Sequence, residues 1–198
     1  MTRATLLDRL RADEAGAGIT EFALIAPALL MSVFGLFELS HTVYTSTMLQ
    51  GAIQQAARSS TIEGARVTEG DVDAEVTRAV RRIVPGATVL FARKAYTNFA
   101  DVGRAEDFND LDDNGTCGNG EPFEDANGNG VWDADRGISG NGGARDAVLY
   151  EVTVQYDRMF PVAEFVGFDP QVSMQSATVL RNQPFGPQNM PASVGNCA

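Results

Sequence analysis

An uncharged apolar run near the N-terminus constrains this chain more than any other feature. Residues 22–37 carry no charged side chain, and Arg3, Arg9 and Arg11 precede them. The next base is Arg58. Because basic residues stay on the cytoplasmic side of a membrane, this order predicts an anchored helix with the rest of the chain exported.

The run is shorter than the roughly 20 residues of a full helical span, which the weakly polar residues 39–44 can complete. A cleaved secretory signal would need a small-x-small site after the run, but bulky residues follow it. A buried core helix of a cytosolic protein is the other alternative. Apolar residues continue at spacings of three and four, so we expect a single helix over 17–64. These positions are Tyr44, Met48, Ala52, Ile53, Ala56 and Ala57.

Glu21 is the unusual residue of this helix, because it lies at the entrance of the apolar run. A carboxylate costs about 2.5–3.5 kcal/mol at the bilayer centre on insertion scales and less at the edge. We therefore expect Glu21 to have a partner of opposite charge. A free α-amino group nearby could supply it.

Residues 16–22 resemble the processing site of type IV pilins, in which a glycine and four residues precede Glu-Phe. The resemblance implies that a prepilin peptidase cuts after Gly16, on the cytoplasmic side, and leaves the helix attached. Ala17 would then carry the new α-amino group. Glu21, which Phe22 follows, would meet the N-terminal amine of a neighbouring subunit during assembly.

The chain is also similar to TadE-like proteins, the minor pseudopilins of Flp/Tad pilus systems. The likeness is carried by Glu21-Phe22-Ala23-Leu24, Pro27, Phe34-Gly35-Leu36-Phe37-Glu38, the helix 49–58 and, more loosely, 177–185. It implies a pilus-assembly protein of the inner membrane, single-pass, with its C-terminal domain exported or carried into an extracellular pilus. The implied partners are the membrane, the prepilin peptidase, and other pilins and pseudopilins.

The sequence after the long helix predicts a small α+β domain. Acidic residues at 71 and 73 and basic residues at 78, 81 and 82 indicate a second helix, which Pro85-Gly86 ends. Strands are predicted at 87–96, 148–156 and 172–181, the second with apolar residues at alternate positions. We therefore expect a pilin-like α+β fold, with the long N-terminal helix packed on a small antiparallel sheet.

Four segments follow from these predictions. Residues 1–16 are a cytoplasmic leader, and 17–64 are the transmembrane and amphipathic helix. Residues 65–182 are the exported domain, which includes a long acidic insertion at 101–146. Residues 183–198 are a tail that we expect to be poorly ordered, but pinned near its end if Cys197 is bonded.

The negative charge is concentrated in one part of the chain. The net charge is -11, and residues 101–135 hold eleven acids and a single base, Arg104. Nucleic acid is excluded as a partner because phosphate binding needs a basic face. An enzyme is disfavoured, since His41 is the sole histidine and the acids group in loops rather than as an isolated acid–base pair.

Residues 110–121, the first acidic loop, match the calcium-loop pattern D-x-[DN]-x-[DN]-G-x5-E. Such a loop wraps Ca²⁺ with oxygens at positions 1, 3, 5, 7 and 12, and the glycine at position 6 makes the sharp turn. The predicted ligands are Asp110, Asp112, Asn114, the Thr116 carbonyl and Glu121.

Residues 125–136, the second acidic loop, repeat the first half of the pattern. The predicted ligands are Asp125, Asn127, Asn129, the Val131 carbonyl, Asp133 and Asp135. Arg136 occupies position 12, so Asp133 or Asp135 must replace the usual glutamate, or the site is weaker. The loops resemble helix-less calcium loops of the thrombospondin type 3 or dockerin-like kind, which implies structural Ca²⁺ as a cofactor.

Two alternatives remain open for this region. The insertion could be a solvated acidic linker, although Phe108, Phe123 and Trp132 give it apolar residues to pack. The protein could also be a membrane-anchored, calcium-dependent adhesin or binding module. Cys117 and Cys197 are candidates for one disulfide if the domain is exported, and are otherwise two free thiols.

Overall fold

The computed structural model describes residues 16–61, 69–160, 162–165, 167–182 and 193–198. Contacts divide the chain into two units. One is the described part of Met1–Val43 together with Arg158–Pro170, and the other contains Tyr44–Asp157 and Gln171–Ala198. Most of the predicted leader, residues 1–15, lies outside the described residues.

One long helix, α1 (Ala17–Thr61), forms the N-terminal part of the described chain. It contains Pro27, yet it continues without a break. The predicted end near Gly64 lies outside the described residues, three positions beyond the last described residue of α1. The second helix, α2 (Glu69–Arg81), has basic residues in its last turn, where their positive charges interact favourably with the negative end of the helix dipole.

The main sheet has four antiparallel strands in the order β3-β1-β4-β5. They are β1 (Thr88–Tyr96), β3 (Ile138–Ser139), β4 (Ala147–Asp157) and β5 (Gln171–Arg181). A short helix, α3 (Val162–Phe165), lies in the connection between β4 and β5. The α+β fold, with a long N-terminal helix packed on a small antiparallel sheet, is thus confirmed.

The core lies between one face of this sheet and the two helices. Alternate residues of β4 face it because successive side chains of a strand point to opposite faces. Its members are Leu49, Ile53 and Ala56 of α1, Val72, Val76 and Val80 of α2, Ala87 just before β1, Tyr150, Val152, Val154 and Tyr156 of β4, and Val172 of β5. The predicted buried face of α1 was partly wrong, because Tyr44 and Met48 are exposed and Leu49 is buried in their place.

A second, two-stranded sheet joins the acidic insertion to the C-terminal end of the described chain. Strand β2 (Pro122–Asp125) pairs antiparallel with β6 (Ser193–Asn196). Phe123 lies opposite Gly195, and a side chain at Gly195 would collide with the Phe123 ring. The end of the tail next to Cys197 is thus held at 193–196, while 183–192, the rest of the predicted tail, lie outside the described residues.

Candidate membrane helix and metal-binding loops

Helix α1 exposes most of its apolar surface before it reaches the sheet. Gly18–Arg58 is long and apolar enough to cross a membrane, and it is the single helix of this kind among the described residues. Very little of its most apolar window is buried inside the protein, whereas the core helix of a soluble protein would be mostly buried. The exposed side chains include Leu24, Leu30, Met31, Val33, Leu36, Phe37 and Leu39. At 100° per residue they surround the helix, which is typical of a helix in lipid.

The predicted processing site lies where α1 begins. Gly16 precedes the first helical residue, and its carbonyl oxygen accepts the backbone N–H of Thr20 at 3.2 Å. Gly16 and the Glu21 side chain are both exposed. The structure thus leaves Gly16 and the Glu21 carboxylate accessible.

The first acidic loop brings three carboxylates together. One oxygen from each of Asp110, Asp112 and Glu121 lies within 4.8 Å of the others. Glu121 is buried and accepts the backbone N–H of Leu111 at 2.6 Å. Hard cations such as Ca²⁺ prefer oxygen ligands of this kind, so these residues fit the predicted ion.

The loop backbone supports this arrangement. Asp110 accepts the backbone N–H groups of Asn114 and Gly115 at 3.1 and 2.7 Å. The bond from Gly115 lowers the pKa of the Asp110 carboxyl, because it stabilises the charged form. Gly115 has a φ of 74°, which explains the glycine at position 6. Thr116 donates its backbone N–H to Asn114, at 2.7 Å.

The second acidic loop repeats this backbone bond by bond. Asp125 accepts the backbone N–H groups of Asn129 and Gly130 at 3.1 and 3.0 Å. Val131 donates its backbone N–H to Asn129 at 2.7 Å, and Gly130 has a φ of 79°. Position 4 also has a positive φ in both loops, at Asp113 and Gly128. The shared sequence pattern therefore produces one shared conformation.

The side chains of the second acidic loop meet differently. Asn127 and Asn129 both donate their side-chain amides to Asp133, at 2.7 and 2.6 Å. Asp135 lies elsewhere, because its carboxylate accepts Lys94 Nζ at 2.6 Å and the Tyr96 hydroxyl at 3.2 Å. Burial acts to raise the pKa of Asp135, but the bonds from Lys94, Gly137 and Tyr96 outweigh it and lower the pKa. Asp133 is thus the one of the two predicted replacements that reaches the loop.

Glu106, which the sequence did not mark, closes the second acidic loop. Its buried carboxylate accepts the backbone N–H groups of Ala126 at 2.8 Å and Asp133 at 2.9 Å. Ala126 is at position 2 of its loop, as Leu111 is in the first. Glu106 therefore makes the bond that the position-12 glutamate makes in the first acidic loop.

Position 12 of the second acidic loop serves another purpose. The guanidinium of Arg136 is buried and donates to the carbonyl of Ala105 at 2.9 and 3.1 Å. It also pairs with Asp107 at 3.0 Å. Arg136 thus fixes the segment that presents Glu106. The arginine at position 12 was the signal in the sequence that another residue closes this loop.

Two further contacts hold the insertion together. Trp132 donates its indole N–H to the carbonyl of Glu106 at 2.8 Å, and its ring packs edge-on against Phe108. Cys117 and Cys197 form a disulfide with their Cα atoms 5.4 Å apart, next to the β2–β6 pairing. The insertion is a packed, cross-linked part of the domain rather than a solvated linker.

Comparison with known proteins bears on the helix alone. Residues 16–58 match the family model described as TadE-like protein. This match covers nearly the whole of α1 and none of the sheet or the acidic insertion. No curated protein matches the chain, and no solved structure does. The TadE-like segment therefore suggests a membrane-anchored component of a Tad pilus system.

Proposed function

We propose that the protein is a TadE-like minor pseudopilin that takes part in assembling a Flp/Tad-type pilus. The observation that carries the proposal is the coincidence of the TadE-like match, residues 16–58, with an apolar helix that little of the protein covers. In this role the protein sits in the inner membrane with a single span and its C-terminal domain exported. It contacts other pilins and pseudopilins through the helix, and no catalysis is needed.

Processing by a prepilin peptidase is the step that tests the proposal most directly. Gly16 is exposed, and cleavage after it would leave Ala17 as the first residue with α1 intact. N-terminal sequencing of the protein from cells with and without the peptidase should give Ala17 and Met1, respectively. An intact Met1 in both would remove the proposal's main support.

The role of Glu21 in assembly is tested by substitution. Its exposed carboxylate at the start of the apolar run fits an ion pair with a neighbour's α-amino group. Glu21→Ala should allow processing but abolish assembly, measured as pili on the cell surface. Thr20→Ala, a change at the adjacent exposed residue, is the control and should assemble normally.

The proposal includes structural Ca²⁺ in the first acidic loop. Its support is the convergence of Asp110, Asp112 and Glu121, since a bound cation would offset the mutual repulsion of their charges. Calcium should raise the melting temperature of the full chain in detergent and change Trp132 fluorescence. Asp110→Asn should abolish the response, while Asp113→Asn, in the same loop but at a non-ligand position, should keep it. A chain that shows no response at millimolar calcium contradicts this part of the proposal.

A calcium-dependent adhesin is the second candidate, favoured by the exposure of the first acidic loop. In that case the loop carries the function and α1 serves as an anchor alone. Surface adhesion should then survive Glu21→Ala and fail with Asp110→Ala or Asp125→Ala. The opposite pattern supports the pseudopilin.

A further inference from the structure

The connection between β4 and β5, Arg158–Pro170, packs on the apolar helix within one unit of the chain. The ring of Phe160 stacks on that of Phe34 with centroids 5.0 Å apart. Beside this contact, the connection and the helix line a cavity of about 390 Å³. Its walls are Gly35, Glu38, Leu39, Thr42, Arg158, Val162, Ala163 and Phe168. The connection is therefore held against the last turns of the apolar run.

Large apolar side chains of this connection are exposed over most of their surface. Met159 is 60% exposed, Phe165 80% and Phe168 66%. Burying such a side chain contributes about 1.5–3 kcal/mol, and contiguous exposed apolar groups mark an interaction site. Helix α1 also exposes Leu36 and Phe37 at this level, which enlarges the exposed apolar surface of this unit.

The contact with Phe34 fixes the level of the connection along α1. Phe34 lies three residues inside the end of the apolar run, which corresponds to about 4.5 Å at a rise of 1.5 Å per residue. Interfacial apolar segments lie about 5–10 Å deep, at the boundary of headgroups and acyl chains. The connection thus sits at the level of this boundary if the helix spans the bilayer with the end of the uncharged run, residue 37, at the exported edge of the hydrocarbon layer.

The charges at this level are compensated within the same unit. Glu38, just past the apolar run, is buried, and its Oε1 lies 3.6 Å from Nη1 of Arg158. Its Oε2 accepts the backbone N–H of Phe160 at 3.3 Å. Arg158 also donates to the carbonyl of Asp169, at 2.8 Å, which closes the connection. The exposed carboxylate of Glu164 fits the headgroup level and limits the depth of insertion.

We propose that Arg158–Pro170 inserts Met159, Phe165 and Phe168 into the leaflet on the exported side of the membrane. This inference rests on the proposed membrane span of α1. A lipid surface is favoured over a protein partner because α1, at this level, also exposes the apolar side chains of Leu36, Phe37 and Leu39 that the connection does not cover. The connection makes a second membrane contact beside the helix and fixes the rotation of α1 relative to the bilayer.

The test is depth-dependent quenching of tryptophan fluorescence in the full chain. Trp132→Phe provides a tryptophan-free background, into which Phe165→Trp, Phe168→Trp or Leu30→Trp is introduced. Phe99→Trp is the matched control, since Phe99 is 73% exposed in the other unit. Each protein is reconstituted in phosphatidylcholine–phosphatidylglycerol vesicles with acyl chains brominated near the headgroup or near the chain end. A parallel series retains Trp132 and uses the unmodified chain as the blank.

Phe165→Trp and Phe168→Trp should lose most emission with bromines near the headgroup, and Leu30→Trp with bromines near the chain end. Phe99→Trp should lose none. Quenching at Leu30 without quenching at 165 and 168 overturns this inference and leaves the membrane span standing. No quenching at any position overturns the span as well. Emission of Phe165→Trp could also be insensitive to brominated lipid but change when the protein is diluted in lipid. That result would mean that a second protein covers the surface, and it also overturns the inference.

Discussion

The two acidic loops share a backbone but close it with different residues. The first uses its own Glu121, and the disulfide at Cys117 pins it to the chain near β6. The second borrows Glu106 from outside the repeat and satisfies Asp133 with two amide donors. In the first acidic loop three carboxylates converge, and Asp112 among them accepts the side-chain amide of Asn119 at 3.0 Å, whereas in the second loop two amides converge on the carboxylate of Asp133. One backbone conformation is therefore combined with two different arrangements of carboxylates.

Removing the disulfide should produce the largest difference in stability between the two loops. Cys117→Ser with Cys197→Ser opens a link across 80 residues. Chain entropy predicts a loss of about 4–5 kcal/mol in the free energy of unfolding. Hydrogen exchange should accelerate at the Asn114 amide and stay slow at Asn129. Reduced wild-type protein is the control and should behave like the double variant. Equal loss of protection in both loops would contradict the distinction.

Restoring the consensus residue in the second acidic loop should damage it. Arg136→Glu places glutamate at position 12, but it removes the bonds to Ala105 and adds a carboxylate beside Asp107. We expect the free energy of unfolding to fall by about 3 kcal/mol, with no gain in calcium response. Denaturant melts and calcium titrations measure both. Arg104→Glu, the same change at an exposed arginine, should cost less than about 1 kcal/mol.

Glu106→Ala and Glu121→Ala compare the two closing residues directly. Glu106→Ala leaves the N–H groups of Ala126 and Asp133 without their acceptor and should cost about 2 kcal/mol. It should change Trp132 fluorescence but leave the calcium response of the first acidic loop. Glu121→Ala should do the reverse. Glu124→Ala, a half-exposed acid between the loops, is the control, and a calcium response lost with Glu106→Ala would refute the assignment.

Alanine at the turn glycines should have the smallest effect and the same effect in both loops. Gly115→Ala and Gly130→Ala force a side chain into a positive φ, at a cost of about 1 kcal/mol each. Gly118→Ala is the control, because a Cβ there meets open space at an ordinary φ. Thermal melts of the three variants measure this. Unequal losses at 115 and 130 would show that the shared backbone is not equally strained.

The sequence was informative wherever contacts are local or periodic. The alternation along β4 predicted which of its side chains are buried, and the glycine positions predicted the turns of both loops. Glu106 could not be predicted, because it reaches a loop that begins nineteen residues later and no spacing rule connects them. Strand β6 was missed for a similar reason, since Gly195 suits it only because the Phe123 ring lies over it.

The register of α1 shows a different limit. Its apolar residues continue on several faces, so spacing alone could not decide whether Met48 or Leu49 faces the sheet. Packing decides the choice, because the side chains of α2 and β4 leave room for Leu49, Ile53 and Ala56. A helix that is apolar all round carries little information about its own orientation.

The pairing of β2 with β6 sets a temporal order on the maturation of the domain. Residues 110–121 are made well before Cys197, so the disulfide at Cys117 can form only after a cysteine 80 positions later has been added to the chain. A chain that stops before residue 193 would contain the first acidic loop without its disulfide. The disulfide therefore forms only in a chain that has been made as far as Cys197. A chain released earlier would be recognisable by the free thiol of Cys117.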